Sequence, residues 1–119
     1  MNYLILNDKK YLIYEFEIHQ DVERQLYQYC HYSPFLIMKI LPTDCNQEAE
    51  LYRDLEDNRE GELLTMLICN QKNDSYICSL NDYMISKIEK SYDMFSTSFK
   101  LELFYRNITW TKRLGFFKE

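Results

Sequence analysis

Glycine and alanine are nearly missing from this 119-residue chain: Gly61 and Gly115 are its two glycines, and Ala49 its one alanine. A loop that cradles phosphate needs glycine where the backbone takes positive φ or closely approaches the ligand. Two isolated glycines therefore exclude both a P-loop and a dinucleotide-binding fingerprint. Proline is equally sparse, at Pro34 and Pro42. No repeat or Pro/Gly/Ser-rich linker divides the chain, so 1–119 is expected to form a single domain. No run of about 18 apolar residues occurs, so nothing reads as a membrane-spanning helix. Residues 1–10 lack the basic-then-apolar order of a secretory signal, and the chain reads as cytoplasmic.

Histidine is limited to His19 and His31. Nothing in the sequence fixes the two near each other, and His31 follows Cys30 directly, a spacing that points the side chains about 100° apart on a helix. The four cysteines, Cys30, Cys45, Cys69 and Cys78, form no C-x-x-C pair. At least three of them read as small buried hydrophobes in a reducing compartment. A turn centred on Asn73 and Asp74 would set Cys69 directly across from Cys78, close enough for a disulfide, although two packed thiols are the plainer reading. No ligand spacing suits a metal. No catalytic residue, metal site or cofactor is expected, and the chain is not read as an enzyme.

What the chain does hold is aromatic and acidic. Residues classed as hydrophobic make up 46% of it, and 11 Tyr and 7 Phe supply most of an aromatic share that excludes a disordered chain. Rings mixed with Ile and Leu suit pleated, half-buried surfaces. Residues 3–6 and 11–18 alternate around a polar turn at 7–10 and read as a β-hairpin. Asp21 reads as the N-cap of an amphipathic helix over 22–32 that Pro34 terminates. The most apolar run, 35–41, lies between the prolines and reads as a central strand.

A second helix is expected from Thr43 or Asp44, with Glu48 completing a capping box, Leu51, Tyr52 and Leu55 inside, and Gly61 at its end. Residues 62–70 and 76–80 form a second hairpin. Asn81 or Asp82 would cap a third helix with Met84, Ile88, Tyr92 and Phe95 inside. A last strand covers 99–110, where loosening alternation suggests a bulge. The expected fold is α+β, in the order β-β-α-β-α-β-β-α-β: a mainly antiparallel sheet of about six strands with three helices packed on it.

Charge is unevenly spread. Residues 44–62 hold eight acids against Arg53 and Arg59, whereas 100–119 hold five bases against Glu102 and Glu119. Glu50, Asp54 and Asp57 are expected to face outward from the second helix, opposite Leu51 and Leu55, with Glu60 beyond its end. Acids near a helix C-terminus oppose its dipole, which singles out Asp57 and Glu60. Glu50, Asp54, Asp57 and Glu60 are thus the expected partner-binding residues, steering a basic protein partner.

The functional reading that follows is a small acidic, protein-binding inhibitor of a nuclease toxin or defence nuclease: an immunity protein, antitoxin or anti-defence protein. One alternative is an interaction or scaffold subunit of a larger assembly, possibly joined through an open sheet edge. Another is a small nucleic-acid-binding module using Arg106, Trp110, Lys112 and Arg113. The overall charge of −5 argues against nucleic acid. No membrane contact is expected, and monomer and dimer both remain open.

Overall fold

The computed structural model describes residues 1–19, 23–26, 29–32, 34–69, 72, 74–92 and 96–113, with side chains placed in all of these except 23–26 and 29–32. Strands dominate: β1 (Asn2–Leu6), β2 (Lys9–His19), β3 (Glu23–Leu26), β4 (Tyr29–Tyr32), β5 (Phe35–Ile40), then helix α1 (Cys45–Asp57), β6 (Glu60–Cys69), β7 (Ser75–Tyr92), β8 (Thr97–Phe104) and β9 (Asn107–Lys112). Strands β6, β1, β2, β5, β8 and β7 pair in that order, and a further pairing of β6 with β7 closes them into a six-stranded antiparallel barrel.

The expected α+β fold with three helices is therefore wrong: this is a barrel with one helix among the described residues. Two expected helices are strands. In place of the helix over 22–32, β3 and β4 pair antiparallel, Glu23 opposite Tyr32. In place of the third helix, β7 runs unbroken to Tyr92. Its register slips between Ile85 and Lys87. Tyr83 and Ile85 are buried, and Ile88, rather than residue 87, packs next against the core. A bulge inserts one extra residue into a period of two, so the apolar positions fall three apart and imitate a helix.

Each hairpin has a local cause. Asn7 and Asp8 both take left-handed backbone, φ 52° and 62°. That is the two-residue turn whose twist matches the flanking strands, and Asn and Asp tolerate it. The pairing sets Leu6 against Lys9 and Leu4 against Tyr11. The second hairpin pairs Cys69 with Ser75 and Met66 with Cys78, so Cys69 does not face Cys78 and the expected thiol pair is absent. Strand β9 continues along β7 the register that β8 holds at Met84 and Ile85, with a break at Tyr105 and Arg106. Asp82, opposite that break, has φ 50°.

Inward positions alternate as a barrel demands: Leu4 and Leu6, Tyr11 and Ile13, Leu36, Met38 and Ile40, Leu64, Met66 and Ile68, Cys78 and Leu80, Phe99, Leu101 and Leu103. A six-stranded barrel is narrow enough for such side chains to fill it, so the interior is a core and not a channel. At about 25 cal/mol per Å² each buried Leu, Ile or Met contributes roughly 2 kcal/mol.

Helix α1 follows directly on β5 and leads directly into β6, and so lies across one end of the barrel. Its N-cap is Asp44, which accepts from the Gln47 N–H at 2.8 Å. Gln47 Oε1 accepts from the Thr43 N–H at 2.7 Å, one residue before the cap, so Gln47 and not the expected Glu48 reaches back over the helix start. Asn58 caps the other end, and Gly61 belongs to β6. An added Cβ at Gly61 would stand 3.1 Å from the Tyr83 ring, so glycine here makes room for that ring.

Candidate functional site

The barrel end under α1 is held by one carboxylate. Asp54 lies three residues after Leu51, about 60° away on the helix, and so shares its buried face. Only 3% of it is exposed. It accepts hydrogen bonds from Tyr11 Oη at 2.6 Å, Asn7 Nδ2 at 2.9 Å and Lys9 Nζ at 3.3 Å. All three donors come from the β1–β2 turn or the strand after it, so the acid pins the helix to that hairpin. Burial works to raise the Asp54 pKa, but the bonds from Tyr11, Asn7 and Lys9 outweigh it and hold the carboxyl below its ordinary value. The same burial and the neighbouring Asp54 push the Tyr11 phenol up.

Asp54 is therefore a structural acid, and its expected place on an outward binding face is wrong. The other expected partner-binding residues are on the surface. Glu50 stands 3.7 Å from Lys9, half-exposed. Asp57 is exposed in the last turn of α1, and Glu60 is exposed at the start of β6, opposite Met84. Glu48 reaches across to Lys90 at 2.5 Å.

The basic, aromatic C-terminal segment is largely engaged with the fold. Tyr105 is buried, Arg106 faces Asp82 at 3.6 Å, and Lys112 faces Asp74 at 3.8 Å. Trp110 stands edge-on to Tyr76, 6.3 Å between ring centres. The expected tail beyond residue 113 and the His31 side chain lie outside the described residues. His19 stacks on Phe35 at 4.4 Å. Among the described residues no three His, Cys, Asp or Glu side chains are placed to hold a metal ion.

What the pairing register brings together is a wall. On the outside of β1, β6, β7 and β9 three cross-strand rows run side by side: Leu63, Asn81 and Asn107; Ile5, Thr65, Ser79 and Thr109; Tyr3, Leu67, Ile77 and Thr111. No residue in these rows is charged. On the other side, outside β2, β5, β8 and β7, the rows read Glu15, Lys39, Lys100, Glu89 and Glu17, Ile37, Glu102, Lys87. Depletion of charge is the compositional mark of an interface core. Sequence reasoning missed this division because it assigned part of β7 to a helix. The alternation of 63, 65, 67 with 77, 79, 81 and 107, 109, 111 was the signal available.

The wall ends at β9, whose outer edge has no partner strand among the described residues. The Arg113 N–H donates to the Ser75 carbonyl at 2.8 Å. By the alternation of an antiparallel ladder, 107, 109 and 111 also bond to β7, and the N–H groups of Ile108, Trp110 and Lys112 point to the open edge. Edges are usually blunted by charge, proline or a bulge. Lys112 supplies such a charge at the end of β9, whereas residues 107–111, Asn-Ile-Thr-Trp-Thr, carry none of these.

A closed antiparallel barrel with a helix across one end and an added strand, β9, paired on one side defines the class of fold. Among solved structures it is similar to Hcp1 from Flavobacterium johnsoniae, with TM-score 0.63, 12% identity, and coverage of 92% of this chain and 93% of that one. It is also similar to a mutant Hcp1 from the E. coli EAEC 042 pathovar, at TM-score 0.54 and 13% identity, covering 96% and 91%. A crystal structure of an Hcp protein matches with TM-score 0.53 and 14% identity over 87% and 70%. At such identities the likeness is one of fold. No protein-family model matches the sequence. No curated protein matches it either.

These neighbours overturn the expected inhibitor. They are Hcp proteins and not immunity proteins or antitoxins, and the α+β frame that reading assumed does not exist.

Proposed function

We propose that this chain is a structural subunit of a larger assembly, an Hcp-like barrel that joins its neighbours through its uncharged wall and the open edge of β9. The fold shared with Hcp1 over nearly the full length of both chains supports this reading. The observation that carries it is the wall itself: eleven outward positions on four strands without a single charge, beside an open strand edge.

Size decides what the wall can do alone. Four strands about 4.8 Å apart and five residues at about 3.4 Å span roughly 300 Å². A stable interface takes about 800 Å² from each partner. The wall therefore needs the β9 edge, or the acidic end around Asp57 and Glu60, to complete a lasting contact.

Two substitutions test the edge and the wall separately. Trp110→Pro removes an N–H that points outward and leaves the β7–β9 bonds in place, whereas Trp110→Ala removes only the ring. Ile77→Lys puts a charge into the Tyr3, Leu67, Ile77, Thr111 row of the wall, and Tyr14→Lys puts one at an exposed position on β2 outside it. The expected result is loss of self-association in Trp110→Pro and Ile77→Lys beyond any seen in Trp110→Ala and Tyr14→Lys. Equal association in all four would refute the reading.

A further inference from the structure

On the charged side of the barrel, two neighbouring rows do different things. The Glu15, Lys39, Lys100, Glu89 row is internally compensated: Lys39 holds Glu15 at 3.2 Å, and Lys87 reaches over to Glu89 at 2.6 Å. That second contact takes Lys87 away from Glu102, its own cross-strand partner. Glu102 makes no contact ion pair through its carboxylate among the described residues, and Glu17 makes one, with His19 at 3.3 Å; Lys87 and Lys39 act on the two acids from further off. These two acids lie on either side of Ile37 in one row, on strands about 10 Å apart. Beside them runs an aromatic row in which His19 stacks on Phe35, and Phe35 tilts against Phe104 with ring centres 6.2 Å apart. Glu17, Glu102, Ile37, His19, Phe35 and Phe104 all border one cavity of about 290 Å³.

We infer that this cavity is a cradle for an arginine side chain presented by a partner protein. Two carboxylates separated by an apolar floor can each accept N–H donors from one planar guanidinium, whose faces suit aromatic neighbours. An ammonium group is compact and strongly hydrated, and uses such a floor less well. An anion is excluded by the two acids, and a neutral amide would leave their charge uncompensated. The inference does not depend on the assembly reading, because the cradle lies on the other side of the barrel from the uncharged wall and can be tested on a monomer.

The test is an NMR titration of the full chain with N-acetyl-arginine amide, against N-acetyl-citrulline amide as the uncharged isostere and N-acetyl-lysine amide as the alternative cation. The arginine probe is expected to give saturable shifts centred on the amides of Glu17, Ile37 and Glu102, with a dissociation constant on the order of a millimolar. Citrulline should give none, and lysine should bind more weakly. Glu17→Gln with Glu102→Gln keeps the shape and removes the charge, and should weaken arginine binding roughly tenfold or more. A conserved amide spectrum for that variant certifies its fold. Absence of saturable shifts, shifts equal for citrulline, or shifts unchanged in the double variant would each overturn the inference. Loss of self-association in the wall variants with arginine binding intact would leave the cradle standing on its own.

Discussion

Removing the Asp54 carboxylate should cost more than any other single change at the helix end. In Asp54→Ala the Tyr11 hydroxyl, inside a fully buried residue, loses the acceptor 2.6 Å away, and Asn7 and Lys9 lose theirs. An orphaned buried donor costs about 1–3 kcal/mol. Hydrogen bonds to a charged group are worth about 1.5–3 kcal/mol each, so the Tyr11 and Asn7 bonds together cost about 3–5 kcal/mol, while Lys9, 38% exposed, returns to water. With a urea slope of about 2 kcal/mol/M for a domain of this size, the unfolding midpoint should fall by roughly 2 M. Asp54→Asn keeps one acceptor for Tyr11 but turns a donor toward Asn7 or Lys9, and should lie between wild type and alanine. Glu50→Ala is the control: it removes only a half-exposed contact of 3.7 Å to Lys9, worth under about 1 kcal/mol. The assay is equilibrium urea unfolding followed by far-UV circular dichroism and tyrosine fluorescence. An Asp54→Ala midpoint within error of Glu50→Ala would refute the hub.

Acid should act at the same place. Asp54 titrates below its unfolded value when folded, so its contribution is complete above the ordinary carboxylate range and is lost as pH falls through the lowered folded pKa. The urea midpoint of the wild type should therefore drop on acidification, and the drop should be smaller in Asp54→Asn; equal acid sensitivity would contradict this. Gly61→Ala should destabilise by up to about 1 kcal/mol, because the new methyl crowds the Tyr83 ring, whose hydroxyl is bonded to the Asn58 carbonyl at 2.9 Å, against the smaller gain from a stiffer unfolded chain. A thermal midpoint unchanged from wild type would dismiss that contact. Burial pushes the Cys78 thiol up to about 12, whereas Cys45 is exposed. Native thiol titration should modify Cys45 and spare Cys78 until urea unfolds the chain, as peptide mapping would show.

Where one side chain alternates cleanly, the fold was legible in the sequence. The β1–β2 hairpin, the central strand β5, helix α1 and strand β6 all follow from period, turn chemistry and capping residues. What escaped was set by irregularity and by pairing over distance. The bulge after Ile85 turned a strand pattern into an apparent helix, and the stretch 22–32, rich in Tyr, held an i, i+4 pattern that competed with β propensity. Closure of the barrel depends on β6 meeting both β1 and β7, which no local signal encodes. Asp54 was misplaced by reading its charge before its angle: at 60° from Leu51 an acid either is paired inside or disrupts the helix end. The wall was written in three alternating segments but becomes a surface only once their register is known.

The central claim, that this barrel is a unit of assembly, meets its most direct test in sedimentation velocity of the full chain over a wide concentration range. The account predicts species at multiples of 14.6 kDa whose share grows with concentration and collapses to monomer in Ile77→Lys. A single 14.6 kDa species at every concentration up to the solubility limit, for wild type and variant alike, would contradict it.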